Sequence, residues 1–200
     1  MFIVLEGGEG AGKSTLAETL RAGFLSAGRE AIAVREPGST ATGTAVRALL
    51  HGELTPWAET FAFLLARAQL IAEVIAPALE AGTLVICDRF EASTFAYQGY
   101  GRGLDLRQLR TANAFATGGL HPDLTIYLDI DPRLGLQRKR GDSEALRTGL
   151  EALAFHDRVR AGYRLFAEAA AAGQWLTLDA TLPAAEIAAR AWEAIGALNG

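Results

Sequence analysis

The sequence predicts an α/β fold in which a doubly wound, parallel, five-stranded sheet is flanked by helices. Short runs rich in apolar and β-branched residues alternate with longer runs of helical pattern along the chain. Several of the short runs are apolar throughout, which is typical of strands covered on both faces in a parallel sheet. In such a sheet the ligand site lies at the carboxyl ends of the strands, so residues that directly follow a strand are the first functional candidates.

The predicted elements follow one another in regular order. Strands are expected at residues 2–5, 31–34, 84–87, 124–128 and 175–178. Helices are expected at residues 13 to about 26, 57–80, 106–116, 143–171 and from 183 onward. Gly28, Gly82 and Gly173 fall where helices should end, and Pro183 falls where one should begin. The 200 residues contain no repeat and no Pro/Ser-rich linker, so we expect one domain over residues 1–200.

The composition argues against several classes of protein. A hydrophobic fraction of 50% with 21% charged residues is typical of a soluble globular protein. The net charge of −4 gives no reason to expect a nucleic-acid partner. Cys87 is the only cysteine, which fits a reducing, cytoplasmic location, and its apolar neighbours indicate a buried small side chain. The N-terminal run resembles a strand and no apolar segment approaches membrane-spanning length, so no membrane association is expected.

A glycine-rich loop that fits G-x-x-x-x-G-K-S/T follows the first predicted strand and precedes the first helix. Its glycines let the backbone N–H groups approach phosphates closely, and the helix adds its positive dipole end. Lys13 can reach the β- and γ-phosphates of ATP, and the Ser14 hydroxyl can ligate Mg²⁺. This context predicts a P-loop NTPase-type fold. The expected nucleotide-binding residues are Gly7, Gly8, Glu9, Gly10, Ala11, Gly12, Lys13, Ser14 and Thr15.

The residues after the fourth predicted strand help to distinguish a small-molecule kinase from other phosphoryl-transfer proteins. A GTPase is expected to carry an N-K-x-D stretch, which this sequence lacks, and motor or transport ATPases usually need a larger chain. Basic residues crowd one short stretch, as in a small-molecule kinase with a lid over about residues 138–150. These basic residues are Arg133, Arg138, Lys139, Arg140 and Arg147.

A resemblance to the thymidylate kinases runs over nearly the whole chain. Residues 86–98, Ile-Cys-Asp-Arg-Phe-Glu-Ala-Ser-Thr-Phe-Ala-Tyr-Gln, resemble the signature of that family, with its D-R-F-x-x-S core and closing aromatic-Gln pair. Other segments agree in order and spacing: Arg35-Glu36-Pro37-Gly38, the helical segment from Phe63 through Arg67 to Gln69, the loop from Gly99 to Leu104, the segment from His121 to Pro132, and the helix from Phe155 to Tyr163. The resemblance implies that the γ-phosphoryl group of ATP is transferred to dTMP in a homodimeric, Mg²⁺-dependent enzyme. Its subunits would meet through the helices near residues 57–80 and 106–116, although an apolar helix face can equally be core.

The acceptor side is expected to combine an aromatic face with polar base and sugar contacts. Phe63 precedes Arg67 by four residues, which puts both on one helical face. From residue type alone Phe63 is more often a core residue; the resemblance implies that it stacks on thymine and that Arg67 donates to a base carbonyl. It also implies that Thr94 reaches the base edge and that Tyr97 crowds the sugar 2′-carbon, which would favour deoxyribose.

The phosphate side is expected to be built from charged residues at strand ends. Arg89 can hold the acceptor phosphate as a fork, or it can form an ion pair with Asp88 or Glu36. Asp88 is placed like a carboxylate that acts on Mg²⁺, and the resemblance puts Glu9 at the sugar 3′-hydroxyl, with a solvated loop residue as the alternative. The full expected substrate set is Glu9, Glu36, Phe63, Arg67, Arg89, Ser93, Thr94, Tyr97 and Gln98, with Arg35 and Arg102 as further phosphate-side candidates.

The chemistry requires cations more than a general base. The acceptor is a phosphate oxygen, largely anionic at neutral pH because its second pKa is about 6, so His51, His121 and His156 are expected to be structural. Lys13 and Arg89 are therefore expected to be catalytic. The P-loop carries no Arg, and the resemblance implies that a lid residue, Arg138, Arg140 or Arg147, acts as the finger; a solvated basic helix face is the alternative.

Some positions depart from the family pattern, and two other functions stay open. The lid has Thr148-Gly149-Leu150-Glu151 where the family usually has D-R-x-E, and Ser39 and Ala66 replace a Gly and an acidic residue. A kinase for dUMP or for CMP and UMP would share the fold, since one methyl group changes binding by only about 1–3 kcal/mol. A catalytically idle nucleotide-binding subunit is the third reading, against which Lys13, Ser14, Asp88 and Arg89 argue.

Overall fold

The computed structural model describes residues 1–139 and 150–198. Its core is a five-stranded sheet of β1 (Phe2–Gly7), β2 (Ala31–Arg35), β3 (Leu84–Asp88), β4 (Leu124–Asp129) and β5 (Trp175–Asp179). The strand order is β2-β3-β1-β4-β5, and every neighbouring pair is parallel. The predicted α/β class, strand number and strand positions are confirmed, with the strands one or two residues longer than expected at their carboxyl ends.

Both faces of the sheet are covered, which explains why the strands are apolar throughout. Ile3 and Leu5 of β1 face one hydrophobic cluster, and Phe2 and Val4 face another. This alternation follows from the two-residue period of a strand. Cys87 belongs to the second cluster and is fully buried, as its neighbours predict.

The helices confirm most of the predicted segments and add three that were not predicted. The described helices are α1 (Lys13–Ser26), α2 (Ala41–Leu49), α3 (Pro56–Glu80, with a π-helical stretch over Ile71–Ile75), α4 (Glu91–Thr94, continued by π-helical Phe95–Gly101), α5 (Leu106–Thr117), α6 (Pro132–Lys139), α7 (Leu150–Ala169) and α8 (Ala184–Ala197). Helices α2, α4 and α6 are short, and each carries Gly, Thr or Pro, which weakens a helical pattern. The expected start of α7 at residue 143 lies outside the described residues.

Helix α3 corrects one expectation about apolar segments. Within Pro56–Glu80 an 18-residue window has a mean hydropathy of 1.6, so by length and composition alone the helix could cross a membrane. The expectation that no segment approaches this length is therefore wrong. One such helix is weak evidence for a membrane span, because core helices of soluble proteins pass the same test; 28% of the 18-residue window is buried within the chain.

Helix α7 packs on α4 and β4 near the carboxyl edge of the sheet. Ala96 of α4 and Val159 of α7 are buried in one cluster with two tyrosines. Tyr127 of β4 and Tyr163 of α7 stack with ring centroids 5.0 Å apart. This packing brings the hydroxyl of Tyr163 beneath the residues that follow β3.

Candidate active site

The glycine-rich loop lies between β1 and α1, at the carboxyl end of the central strand. Gly7, Gly10 and Gly12 have φ angles of 144°, 67° and 92°, which L side chains rarely adopt. Gly12 directly precedes α1, so the free N–H groups of the first helical turn continue those of the loop. This geometry suits an anionic group at the helix N-terminus.

The loop is also fixed by close backbone contact with α6. A Cβ atom at Gly10 would overlap the carbonyl oxygen of Gly135, and one at Gly135 would overlap the carbonyl oxygen of Glu9. Glycine at both positions therefore lets the two backbones touch. Helix α6 consequently holds a fixed position over the phosphate-binding loop.

Lys13 is buried beneath the loop and is the first cation of the site. Its Nζ donates hydrogen bonds to the carbonyl oxygens of Gly7 and Gly8 at 3.1 and 2.7 Å. Burial, together with the positive charge of Arg89, lowers the pKa of Lys13 to about 7 against the opposing effect of nearby carboxylates. The negative charge of a phosphate group at the loop would raise the pKa of Lys13 again.

Ser14 and Asp88 present the groups that a hard divalent cation takes. The Ser14 hydroxyl donates to Asp88 Oδ2 at 2.6 Å, so the two side chains lie together at the start of α1 and the end of β3. Asp88 Oδ1 is buried and, among the described residues, has no hydrogen-bond partner. Since buried polar atoms normally find a partner, a hydroxyl and an unsatisfied carboxylate oxygen fit Mg²⁺.

A cleft of about 330 Å³ opens above the loop. It collects seven of the nine expected nucleotide-binding residues, and Gly7 and Gly8 contribute the carbonyl groups bound by Lys13. The lining residues are Glu9, Gly10, Ala11, Gly12, Lys13, Ser14, Thr15, Arg35, Asp88, Arg89, Arg138 and Lys139. Most of these side chains beyond the glycine-rich loop carry a formal charge, as expected for a phosphate site.

A second cavity of about 220 Å³ adjoins this cleft. All nine residues expected to bind the acceptor line it, although they come from distant parts of the chain. The lining residues are Glu9, Arg35, Glu36, Pro37, Arg47, Leu50, His51, Phe63, Arg67, Arg89, Ser93, Thr94, Tyr97, Gln98 and Lys139. The cleft and the cavity share the four residues Glu9, Arg35, Arg89 and Lys139.

Arg89 is held at the junction in an unusual backbone conformation. Its φ of 75° is left-handed, which turns the chain sharply after β3 and directs the guanidinium back over the loop. Its Nη2 donates to Glu9 Oε1 at 2.7 Å and to the Tyr97 hydroxyl at 3.2 Å, and its Nη1 donates to the Gly7 carbonyl at 3.2 Å. The ion-pair partner of Arg89 is thus Glu9, whereas the sequence suggested Asp88 or Glu36.

Glu36 pairs with Arg67 instead, and the pair is almost fully buried. Arg67 is 1% exposed, and its Nη2 lies 2.6 Å from Glu36 Oε2. Its Nε also donates to Glu36, and its remaining N–H groups donate to Thr94, Asn113 and the carbonyl of Phe90. Arg67 therefore lies in the cavity wall with an acceptor for each N–H group.

The aromatic residues predicted for the acceptor line the same cavity. Phe63 lies one helical turn before Arg67 and is half-buried, with its ring at the cavity surface. The Arg89 guanidinium lies 5.0 Å from the ring centroid of Tyr97. Burial raises the pKa of Tyr97, so its hydroxyl remains protonated and able to donate. Gln98 is turned toward α3, where its Nε2 donates to Glu59 at 2.8 Å.

Several residues of the site are not among those predicted from the sequence. Arg47, Leu50 and His51 line the cavity from the end of α2, an element that was not predicted. Glu6 is fully buried below Arg89, and burial raises the pKa of its carboxyl group. An acidic residue inside an otherwise apolar strand was the signal that could have identified Glu6.

The predicted lid is described only at its start. Arg138 and Lys139 end α6; Arg138 donates to the Ala180 carbonyl at 2.8 Å and Lys139 to Glu9 at 2.7 Å. Arg138 also borders a groove of about 140 Å³ between the P-loop helix α1 and the start of α8. Arg140 and Arg147 lie outside the described residues.

Comparison with known proteins agrees with this architecture. The family model described as thymidylate kinase matches residues 5–191. A thymidylate kinase from Desulfovibrio desulfuricans is 47% identical, with 98% of this chain and 95% of that protein covered. One from Synechococcus sp. is 48% identical with the same coverage.

A solved structure is also similar. The crystal structure of thymidylate kinase from Ehrlichia chaffeensis superimposes with a TM-score of 0.78 at 28% sequence identity, covering 98% of both chains. A family model, close relatives and a full-length structural match thus agree on one assignment. The chain belongs to the thymidylate kinase family, the nucleoside-monophosphate kinases that phosphorylate dTMP to dTDP with ATP.

Proposed function

We propose that the cleft above the glycine-rich loop holds the phosphates of ATP and that the adjoining cavity holds dTMP. The observation that carries this assignment is the convergence of nine acceptor candidates on one cavity that meets the phosphate cleft at charged residues. Two nucleotides in these spaces would point their phosphates at the shared junction. In-line transfer of a phosphoryl group needs this arrangement.

The donor phosphates would be bound by the loop N–H groups and by Lys13. The Lys13 ammonium, which now donates to the carbonyl groups of Gly7 and Gly8, would donate to phosphate oxygens instead. Ser14 and Asp88 would hold Mg²⁺, which supplies charge neutralisation on the phosphates. The adenine would extend into the groove bordered by Arg138, Leu182 and Ile187.

The acceptor phosphate would be bound by Arg89, whose fork already points into the junction. Ser93 and Gln98 complete the cavity beside it, and Glu9 would accept a hydrogen bond from the sugar 3′-hydroxyl. Tyr97, held by Arg89, would leave little space for a 2′-hydroxyl group. No side chain needs to remove a proton, because the attacking phosphate oxygen is already anionic.

The base would stack on Phe63 at the end of the cavity away from the loop. Thr94 would contact the base edge, and Glu36 would fix Arg67 in the cavity wall. A base carbonyl could be reached by an N–H group of Arg67 that shares its bond with Thr94 or Asn113. The buried pair therefore supports the predicted contact indirectly, by making the position of the guanidinium rigid.

We also propose one domain with a lid over about residues 138–150, which brings Arg138, Arg140 or Arg147 to the transferring group. Arg138 borders the phosphate cleft and the neighbouring groove, which supports a contact on the ATP side. Alanine at the residue that acts as the finger should lower kcat by roughly 10³-fold or more. If none of the three alanine variants loses activity, the finger does not come from the lid.

A homodimer would explain the exposed apolar surface of α3 and α5. Phe61, Leu65 and Phe115 are 59%, 53% and 85% exposed, and a groove of about 560 Å³ runs between the two helices beside Trp57. An apolar patch of this kind usually marks an interaction site. With Cys87 buried and no other cysteine in the sequence, a reducing cytoplasmic location fits the chain.

A coupled assay tests the assignment directly. Purified protein with ATP and Mg²⁺ is offered dTMP, dUMP, CMP and UMP in turn, and dTDP formation is expected to be fastest. If dUMP, CMP or UMP is phosphorylated faster, that nucleotide and not dTMP is the acceptor. If none of the four is phosphorylated, the protein is a nucleotide-binding subunit without kinase activity. The Arg89→Ala and Phe63→Ala variants then test the site, with kcat/KM for dTMP falling by about 10²-fold.

A further inference from the structure

The chain has two lysines among its 19 basic residues, and both line the phosphate cleft. Lys13 is the lysine of the glycine-rich loop. Lys139 is far away in sequence, at the end of α6, and it is one of the four residues shared by the cleft and the acceptor cavity. A compact ammonium with three rotatable donors therefore lies where two phosphate groups would meet.

The position of Lys139 is set by direct contacts. Its Nζ lies 2.7 Å from Glu9 Oε2, and the other oxygen of the same carboxylate lies 2.7 Å from Arg89 Nη2. Glu9 thus holds one cation from the acceptor side and one from α6. Burial opposes ionisation of Glu9, but the charges of Arg89, Lys13 and Lys139 outweigh it and lower the pKa of the carboxyl group, so both pairs persist at neutral pH.

Helix α6 presents Lys139 from a fixed position. Gly135 touches the backbone of the glycine-rich loop, and Arg138 donates to the Ala180 carbonyl. Helix α6 is thereby tied to the loop through Gly135 and to the residue after β5 through Arg138. The Lys139 side chain needs only to release Glu9 to reach a phosphate, and it is 24% exposed toward the cleft.

We propose that Lys139 is a catalytic residue whose ammonium contacts an oxygen of the transferring phosphoryl group. The inference rests on the proposed placement of the two nucleotides. A phosphate oxygen of dTMP forms a bond to the γ-phosphorus, the bond from that phosphorus to the β–γ bridging oxygen breaks, and its electron pair stays on ADP. Lys139 keeps its proton throughout and offsets charge on the group in flight. Glu9, engaged by the sugar, releases Lys139 when dTMP binds.

Substitution of Lys139 tests the inference through kcat. Lys139→Ala is expected to lower kcat by about 10²-fold with KM for dTMP changed less than about threefold, since a preorganised charge acts on the transition state. The exposed Arg133→Ala variant, on the same helix, is the matched control and should keep the wild-type kcat. Thermal unfolding of each variant verifies that the fold is retained, and Lys139→Gln serves if the alanine variant does not fold.

Restoring the charge chemically separates a catalytic ammonium from a packing role. In Lys139→Cys, alkylation with 2-bromoethylamine rebuilds an ammonium side chain of nearly the length of lysine. Cys87 is fully buried, so the reagent should modify residue 139 alone, as mass spectrometry can verify. We expect kcat to recover to within tenfold of the wild type, and full modification without recovery would overturn the inference.

A double variant separates direct action from action through Glu9. If Lys139 served only to hold Glu9, Lys139→Ala would have no further effect in a Glu9→Gln background. The inference requires the kcat loss to persist there. Unchanged kcat in Lys139→Ala with a large loss in Arg89→Ala would reject the role of Lys139 alone; unchanged kcat in both would reject the nucleotide placement itself.

Discussion

Glu6 lies at the end of β1 and organises the turn that carries Arg89. One carboxylate oxygen accepts from the backbone N–H groups of Phe90 and Ser93, at 3.0 Å each. The other accepts from the hydroxyls of Ser93 and Tyr163, at 2.6 and 2.8 Å. The left-handed conformation of Arg89 is therefore held by a buried acceptor two strands away from it in sequence.

Two substitutions of Glu6 should lower the free energy of unfolding by different amounts. Glu6→Ala leaves the two N–H groups buried without an acceptor and should lower the free energy of unfolding by about 3 kcal/mol or more. Glu6→Gln should cost less, because its amide N–H₂ can face the two hydroxyls, which can rotate to accept, while its carbonyl keeps the N–H groups satisfied. Urea unfolding measures both. Equal losses in the two variants would contradict this account.

The partly buried imidazole of His156 is expected to make stability depend on pH. His156 lies beside the rings of Tyr97 and Phe155 on α7. Burial lowers its pKa below the ordinary value of 6.5; the negative charge of Glu9 opposes this shift, and Arg89 and Lys139 add to it. The unfolded chain then binds more protons than the folded chain between the lowered pKa and 6.5, so stability is lost as pH falls through that window.

The dependence is measured by urea unfolding between about pH 7 and pH 5, a range that spans the ordinary histidine pKa. The free energy of unfolding should fall toward the acid end in the wild type and should fall less steeply in His156→Gln, which has no proton to take up. A steeper slope in the variant would show that the sign of the pKa shift is wrong.

At the scale of elements, the contact between α6 and the glycine-rich loop joins the donor site to the start of the predicted lid. Two glycines make this contact possible, Gly10 in the loop and Gly135 in α6, because a Cβ atom at either position would overlap the backbone of the other element. The backbone separation leaves no room for a side chain. Helix α6 and the loop must therefore move together or separate completely.

Gly135→Ala should disturb the donor site without touching a ligand-binding side chain. Its methyl group would push the loop at Glu9, and displacement of about 1 Å can cost about 10²-fold in rate, so kcat/KM for ATP should fall by about that factor. Gly196→Ala is the matched control, since it lies in α8 with open space around it and should gain up to about 1 kcal/mol of stability. If kcat/KM for ATP in Gly135→Ala equals the wild-type value, α6 and the glycine-rich loop are not in close contact.

At the scale of the whole molecule, the apolar surface of α3 and α5 is the feature that a single chain does not explain. Phe115→Glu should convert the proposed dimer to a monomer, because it places a charge at the most exposed aromatic residue of that surface. Leu165→Glu, at a side chain 48% exposed on α7, is the matched control and should remain dimeric. Sedimentation equilibrium distinguishes the two, and a monomeric wild type would refute the interface.

Much of the architecture could be read from the sequence because it depends on local pattern. Continuous apolar runs identified the strands, and Gly28, Gly82 and Gly173 marked helix ends, where their φ angles are indeed positive. Helix α2 escaped because its residues Ala-Thr-Gly-Thr form a weak helical pattern. It is stabilised by a Thr40 cap, whose Oγ1 accepts from the Gly43 N–H, and by packing on α3. Because α2 was not predicted, the cavity residues at its end were not predicted either; these are Arg47, Leu50 and His51.

The sequence by itself determined the fold class and the glycine-rich loop, because both depend on residue type at short spacing, and its resemblance to the thymidylate kinases supplied the acceptor candidates. Pairing between side chains was decided only by tertiary structure. Glu9, and neither Asp88 nor Glu36, neutralises Arg89; Glu36 is buried against Arg67; Glu6 supports the turn from below. Strand order brings these carboxylates together from distant parts of the chain, and which cation each one meets depends on distances of a few ångströms that no sequence spacing encodes.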